Sequence, residues 1–306
     1  MMPGIIASGL GGTVVTPTQL YPSYYPYMSL VVNGEGSSLA EATRDRSIYG
    51  AATLVTNHGA VLTSDGCFGD SSLDLSGGGL SYNINNARNI TGSSEFTISC
   101  WLKAISSVEP DDIYLPIVSC LDETGLTGWE IAFKPRGDGG GVSDIWLRVA
   151  VNDSVSGILI KNIQLQFGFA WFQIESHNWF NFTLLSNNLT ELPTDTGGKG
   201  WKLRSYLDGP SSSGINNFNI GFEFDDGTKT ITPIAPTTEL FLGQDPTGTR
   251  RLPMKMSEFS LFNKMALFDQ NNNNSYFVSP QPLLDLWPPT TEVAYTQLWD
   301  LAMPPE

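Results

Sequence analysis

The sequence predicts an all-β chain, an antiparallel two-sheet sandwich or jelly roll. Short apolar stretches alternate with a period of two, as in Glu95–Lys103 and Asp144–Val151, and that alternation turns one side of a strand toward a core. Between such stretches lie Gly77-Gly78-Gly79, Gly139-Gly140-Gly141, Gly197-Gly198, Asp208-Gly209-Pro210 and Asn271 to Asn274, all turn chemistry. No segment of the body carries a long stripe of helical period, so helices are not expected to build it. Positions 96, 98 and 100, like 203, 205 and 207, fall on one face of their strands and can meet a second sheet. Asp208-Gly209 supplies the positive-φ turn of a tight hairpin. No repeat of about 20–50 residues recurs, which excludes propellers and solenoids.

The chain has 306 residues, and sandwiches reach about 200–250 residues as one domain, so one large body with extensions is expected. Residues 1–27 are punctuated by Gly and Pro and carry Tyr21, Tyr24, Tyr25 and Tyr27. They cannot form a core of their own, and they read as an extended arm whose amphipathic rings anchor it to a neighbouring subunit. A loose leader is the alternative. The body runs over 28–286, and its stretch 152–200, with Asn187-Asn188, Pro193 and Gly197-Gly198, reads as an inserted loop system. Residues 287–306 form a proline-bounded tail in which Glu292–Leu301 fits a short amphipathic helix. Trp299 is its candidate assembly residue, and folding of the tail back onto its own sandwich is the alternative.

Sixteen Lys+Arg against 31 Asp+Glu give a net charge of −15. A chain so acidic repels phosphate backbones, which excludes a nucleic-acid partner. Charged residues make up 15% of the chain, against about 25% in an average soluble domain. So sparse a charged surface suits a protein that faces other protein in a homo-oligomer or larger assembly, the alternative being a surface rich in Ser, Thr and Asn. Apolar residues at 41% and aromatics at 11% exclude intrinsic disorder. Cys67, Cys100 and Cys120 are too few and too irregular for a disulfide scaffold, and with only His58 and His177 they suggest no zinc site. Cys100 lies inside a strand and reads as a small core residue. The first charged residue is Glu35, which gives no basic n-region of a signal peptide, and the early apolar runs are too short to span a membrane. Synthesis in a cytosol and no membrane partner are expected.

Read in order, landmarks of the body resemble laminin-G-like, concanavalin A-like jelly rolls. Tyr27–Gly34 is similar to that family's first strand, Ser64–Leu75 with the following Gly-rich turn to its FGgsSL segment, and Ser94–Lys103 to its FTI..W strand. Pro116–Ser119 and Gly128–Phe133 resemble its central pair, while Trp179–Leu184 and Trp201–Gly209 resemble the strands that follow. Leu240–Gly243, Met256–Asn263 and Ser279–Trp287 are similar to its closing segments. The charge-free leader together with Tyr27–Gly34, Gly50–Val55 and Phe68–Leu73 resembles such proteins of tailed bacteriophages. That likeness implies a virion protein made in the host cytoplasm: a non-enzymatic capsid decoration, knob or tail component whose partners are other virion proteins. The alternative it implies is an adhesin that recognises a host surface glycan.

The residues themselves supply little chemistry. Retaining glycosidases need two carboxylates about 5 Å apart, and the nearest run, Glu223-Phe224-Asp225-Asp226, breaks into Gly227. There is no Gly-x-Ser-x-Gly elbow, and the Gly-rich runs precede strands and not helices, so they make no phosphate cradle. No cofactor is required. Calcium is the one ion the resemblance suggests, with Asp65, Asp122, Asp153 and Asp245 as candidate ligands in turn-rich loops. At each of these positions the competing reading is an aspartate capping its own turn. Trp171 is the candidate glycan-stacking residue, and Trp179 and Trp201 are expected in the core.

Overall fold

The computed structural model describes residues 28–263 except 33, 35, 46, 48–53, 68–70, 84–88, 94, 106–112, 136–141, 171–178, 189–199, 209–215, 225–227 and 238. The described chain is a two-sheet antiparallel jelly-roll sandwich. One sheet contains β1 (Met28–Val32), β3 (Val61–Thr63), β4 (Ser72–Asp74), β6 (Phe96–Ala104), β11 (Phe180–Asn188), β12 (Gly200–Asp208), β13 (Asn216–Glu223) and β16 (Met254–Asn263). The other contains β2 (Leu54–Asn57), β5 (Leu80–Tyr82), β7 (Leu115–Ser119), β8 (Trp129–Pro135), β9 (Val142–Asp153), β10 (Gly157–Ala170), β14 (Ile231–Pro233) and β15 (Leu240–Leu242). The first sheet runs β13-β12-β11-β6-β16-β4-β3 and the second β10-β9-β8-β7-β15-β5-β2. Chain neighbours often lie in opposite sheets, as Greek-key winding requires. One short helix, α1 (Leu39–Ala42), starts at Ser38, whose hydroxyl accepts the Glu41 N–H, an N-cap in its usual form.

The expected alternation is present. Phe96, Ile98, Cys100 and Leu102 of β6 are buried in the core with Trp129, Ile131 and Phe133 of β8 and Ile145, Leu147 and Val149 of β9. Phe133 meets Phe180 of the facing sheet edge to face, with ring centroids 6.3 Å apart. Trp201 and Leu203 are fully buried, and the Trp201 indole N–H donates to the Ser93 carbonyl at 2.8 Å. Burial drives the Cys100 and Cys120 thiols far above their usual pKa, as expected of inert core residues.

Of the stretch 152–200, read from the sequence as an inserted loop system, residues 171–178 and 189–199, with Pro193 and Gly197-Gly198, lie outside the described residues, and the described part is mainly strand. It carries the end of β9, all of β10 and β11, and β10 is a full edge strand of the second sheet. Ile158, Ile160, Asn162 and Gln164 alternate there with Leu159, Lys161, Ile163 and Leu165, a period-two pattern that the lysine on one side and the isoleucines on the other obscured.

Strand β16 takes two partners along one edge. Met256 pairs with Leu73 of β4, whereas Phe259 to Phe262 pair with β1. Between them Glu258 sits at φ 55 in a bulge opposite β6, a left-handed backbone that non-glycine residues seldom adopt. Gly34, at φ 73, closes the junction, since a Cβ there would lie 2.9 Å from the Met256 carbonyl oxygen.

Candidate functional site

The outer face of the second sheet gathers the chemistry. In β9 the residues that alternate with the core positions are Asp144, Trp146 and Arg148, and register places Glu130 and Asn162 beside Arg148, Ala132 and Gln164 beside Trp146, and Lys134 beside Asp144. Two successive rows across β8, β9 and β10 and a third across β8 and β9 therefore share one face. Small Ala132 leaves room next to the Trp146 indole.

Glu130 is the keystone. Its carboxylate is fully buried on the outward side of a strand, and it accepts from the Ser119 hydroxyl at 3.0 Å and from Arg148 Nη1 at 2.6 Å. Arg250 Nη1 and Nη2 reach its two oxygens at 2.8 Å each, the bidentate geometry that guanidinium and carboxylate share. Arg250 comes from the β15–β16 connection, and Asp245 builds that turn. Asp245 Oδ1 accepts the Arg250 backbone N–H at 3.0 Å, while Oδ2 accepts from Thr247 and from Arg250 Nε. Burial opposes ionisation of Asp245, but these bonds outweigh it and hold the carboxyl below its usual range. Burial likewise opposes the charge on Arg250, and its bonds to Glu130 and Asp245 raise its pKa instead.

Above this floor stand the rings. The Arg148 guanidinium lies 4.1 Å from the centroid of Tyr114, and Lys134 Nζ lies 5.2 Å from it, both cation–π contacts. Tyr114 and Trp146 meet edge to face at 6.3 Å. Tyr114, Trp146, Lys134, Arg148 and Gln164 are half-buried and Asn162 is exposed. Arg148 Nε donates to Asn162 Oδ1 at 3.3 Å. The result is a fixed platform of aromatic edges bordered by guanidinium and amide groups, positioned by β7 to β10 and by one loop from far along the chain. The sequence contained one signal for it. An aromatic at the solvent-side position 146 of an alternating strand is unusual unless it has something to contact.

The four candidate metal ligands are dispersed. Asp65 lies between Lys255 and Lys103, with Nζ to carboxylate distances of 2.7 and 2.9 Å; partial burial opposes its ionisation, and the two lysines overcome that to lower its pKa. Asp122 accepts the Leu126 and Thr127 backbone N–H groups and the Thr124 hydroxyl. Asp153 accepts those of Val155 and Ser156, and these bonds lower its pKa. Asp245 braces the turn already described. Three of the four cap their own turns, and among the described residues no group of three or more His, Cys, Asp or Glu stands together. Tyr21, Tyr24, Tyr25, Tyr27, Trp171, His177 and Trp299 lie outside the described residues.

A histidine and a serine also meet: His58 Nε2 is 3.1 Å from Ser81 Oγ. Ser81 is fully buried. No helix among the described residues is long and apolar enough to cross a membrane.

No protein family and no curated protein matches the sequence. Among solved structures, the chain is similar to the binding domain of Paraclostridial Mosquitocidal Protein 1, with a TM-score of 0.45 and 15% identity over 79% of this chain. It is also similar to the receptor binding domain of botulinum neurotoxin mosaic serotype C/D, with a TM-score of 0.47 and 15% identity over 80%. A third likeness is to the binding domain of botulinum neurotoxin DC in complex with rat synaptotagmin II, with a TM-score of 0.47 and 13% identity over 80%. The chain spans about half the length of each, 50%, 49% and 50% respectively.

Proposed function

We propose that this chain is a non-enzymatic carbohydrate-binding module and that the outer face of its second sheet is the binding surface. The observation that carries this reading is the Tyr114–Trp146 pair flanked by Arg148, Asn162 and Gln164. Sugar rings offer apolar C–H faces to aromatic groups and hydroxyls to guanidinium and amide groups, and this surface presents both. Glu130, saturated by Ser119 and two arginines, holds the donors in place and is no acid or base. The site is built before the ligand arrives, which limits the ordering cost of binding. A glycan array probed with the full chain and with Trp146→Ala tests it. Binding by the native chain that falls about tenfold or more in the variant, the equivalent of about 1.4 kcal/mol, supports the reading, and a blank array contradicts it.

The second reading, a structural component of a phage particle, is favoured by the sparse charge of the chain, 15% charged residues, and by exposed Val155 and Ile158 at 75% and 53%. Its arm and tail anchors lie outside the described residues. Light scattering of the full chain beside a form lacking residues 1–27 tests it: assembly only of the full chain supports it, and two monomers count against it.

A further inference from the structure

We infer that the ligand of this surface is an uncharged oligosaccharide and that Glu130, braced by Arg250, is the residue that sets this preference. The inference rests on the carbohydrate reading. Among the described residues each arginine of the patch is paired with a carboxylate. Arg148 and Arg250 share Glu130, Arg250 also pairs with Asp245 at 3.2 Å, and Lys134 stands in register with Asp144. Among the described residues these three carboxylates are buried and these three cations half-buried, so the charges of the six side chains sum to zero within a chain of net charge −15. An acidic sugar would be repelled by the chain as a whole and would find both arginines here already compensated. A neutral one loses nothing, because the remaining guanidinium N–H groups of Arg148 donate to hydroxyls without a counter-charge being required.

The face is also long enough for more than one ring. From the Trp146–Gln164 row to the Ala150–Ile160 row, where Ala150 is fully buried and the open face ends, is four residues, about 13 Å of strand. Ile160 there packs under Gly125, where a Cβ would meet its Cδ1 at 2.6 Å, so the loop after β7 forms a wall at that end. The strip thus runs from the polar aromatic rows to an apolar wall, suited to a short chain of sugars.

Glu130 acts through Arg148 and is a positioning residue. Replacing it with Gln removes one negative charge, leaves Arg250 paired with Asp245, and releases Arg148. The experiment compares neutral hexose oligomers with the same oligomers bearing uronic acid or sulfate, on the full chain and on Glu130→Gln. The native chain is expected to bind the neutral set and to leave the acidic set at least about tenfold weaker. The variant is expected to gain acidic binding that fades with salt. Native binding that favours the acidic set overturns the inference while leaving carbohydrate binding intact, and no binding to either set overturns the carbohydrate reading itself. The native comparison needs no variant, so a Glu130→Gln chain that fails to fold does not remove the test.

Discussion

The outer faces of the two sheets solve the same problem in opposite ways. On the first sheet, Thr97, Ser99, Asn181, Thr183 and Leu185 alternate with core residues and are themselves buried. Their polar groups satisfy one another: Thr183 Oγ1 donates to Asn181 Oδ1 at 2.7 Å and lies 2.9 Å from Ser99 Oγ, and Asn181 Nδ2 donates to the Cys100 carbonyl. That part of the face is a closed network of neutral groups, and further along β6 the same face carries half-buried Trp101 and Lys103. On the second sheet the equivalent positions hold Trp146, Arg148 and Lys134, half-exposed above a buried carboxylate. Half-buried long side chains border the surface there, and the contrast is the basis of the proposed recognition face: hydroxyl networks fix a structure, whereas a braced aromatic and guanidinium surface can contact a partner.

The largest effect on folding should come from the core that both faces share. Trp201 is fully buried against Phe96, Phe222 and Phe224, at centroid distances of 5.5, 6.1 and 5.2 Å, and Trp201→Ala is expected to cost about 3–5 kcal/mol by denaturant unfolding. Thr183→Val keeps the volume but strands the Asn181 and Ser99 groups. It should cost about 1–3 kcal/mol and leave sugar binding unchanged, which separates the closed face from the open one. Trp146→Ala should do the reverse, with a smaller loss of stability than Trp201→Ala and a large loss of binding.

Acid should weaken the fold in a defined window. Asp65, Asp122, Asp153 and Asp245 all titrate below the ordinary 3.8 in the folded chain. The unfolded chain therefore binds more protons near that pH, so their contribution is intact above about pH 5 and is lost as pH falls through the lowered values. Urea midpoints measured from pH 6 down to pH 2 should decline only at the acid end. The smallest effect should be Asp65→Asn, under about 1 kcal/mol, because that carboxylate is 38% exposed between its lysines.

Much of the fold was legible because its signals are local. The β6 segment shows its inward face in Phe96, Ile98 and Cys100, and the aspartates of the turns at 122 and 153 sit within a few residues of the N–H groups they cap. The site was not legible, because its partners are distant. Glu130 reads as one acid in an apolar strand, and it takes on meaning only when sheet pairing brings Arg148 and a turn 120 residues further on brings Arg250. The edge strand β10 was obscured for another reason, since Lys161 interrupts one side of its alternation and Ile158 and Ile160 stand on the other.

The central claim is that recognition belongs to the outer face of the second sheet, and backbone hydrogen exchange of the full chain, with and without a saturating neutral oligosaccharide chosen from the array, tests it most directly. The account predicts added protection in β8, β9, β10 and the Asp245–Arg250 turn, with β6 and β11 unchanged. Protection confined to β6 and β11, or to segments remote from Trp146, would contradict it.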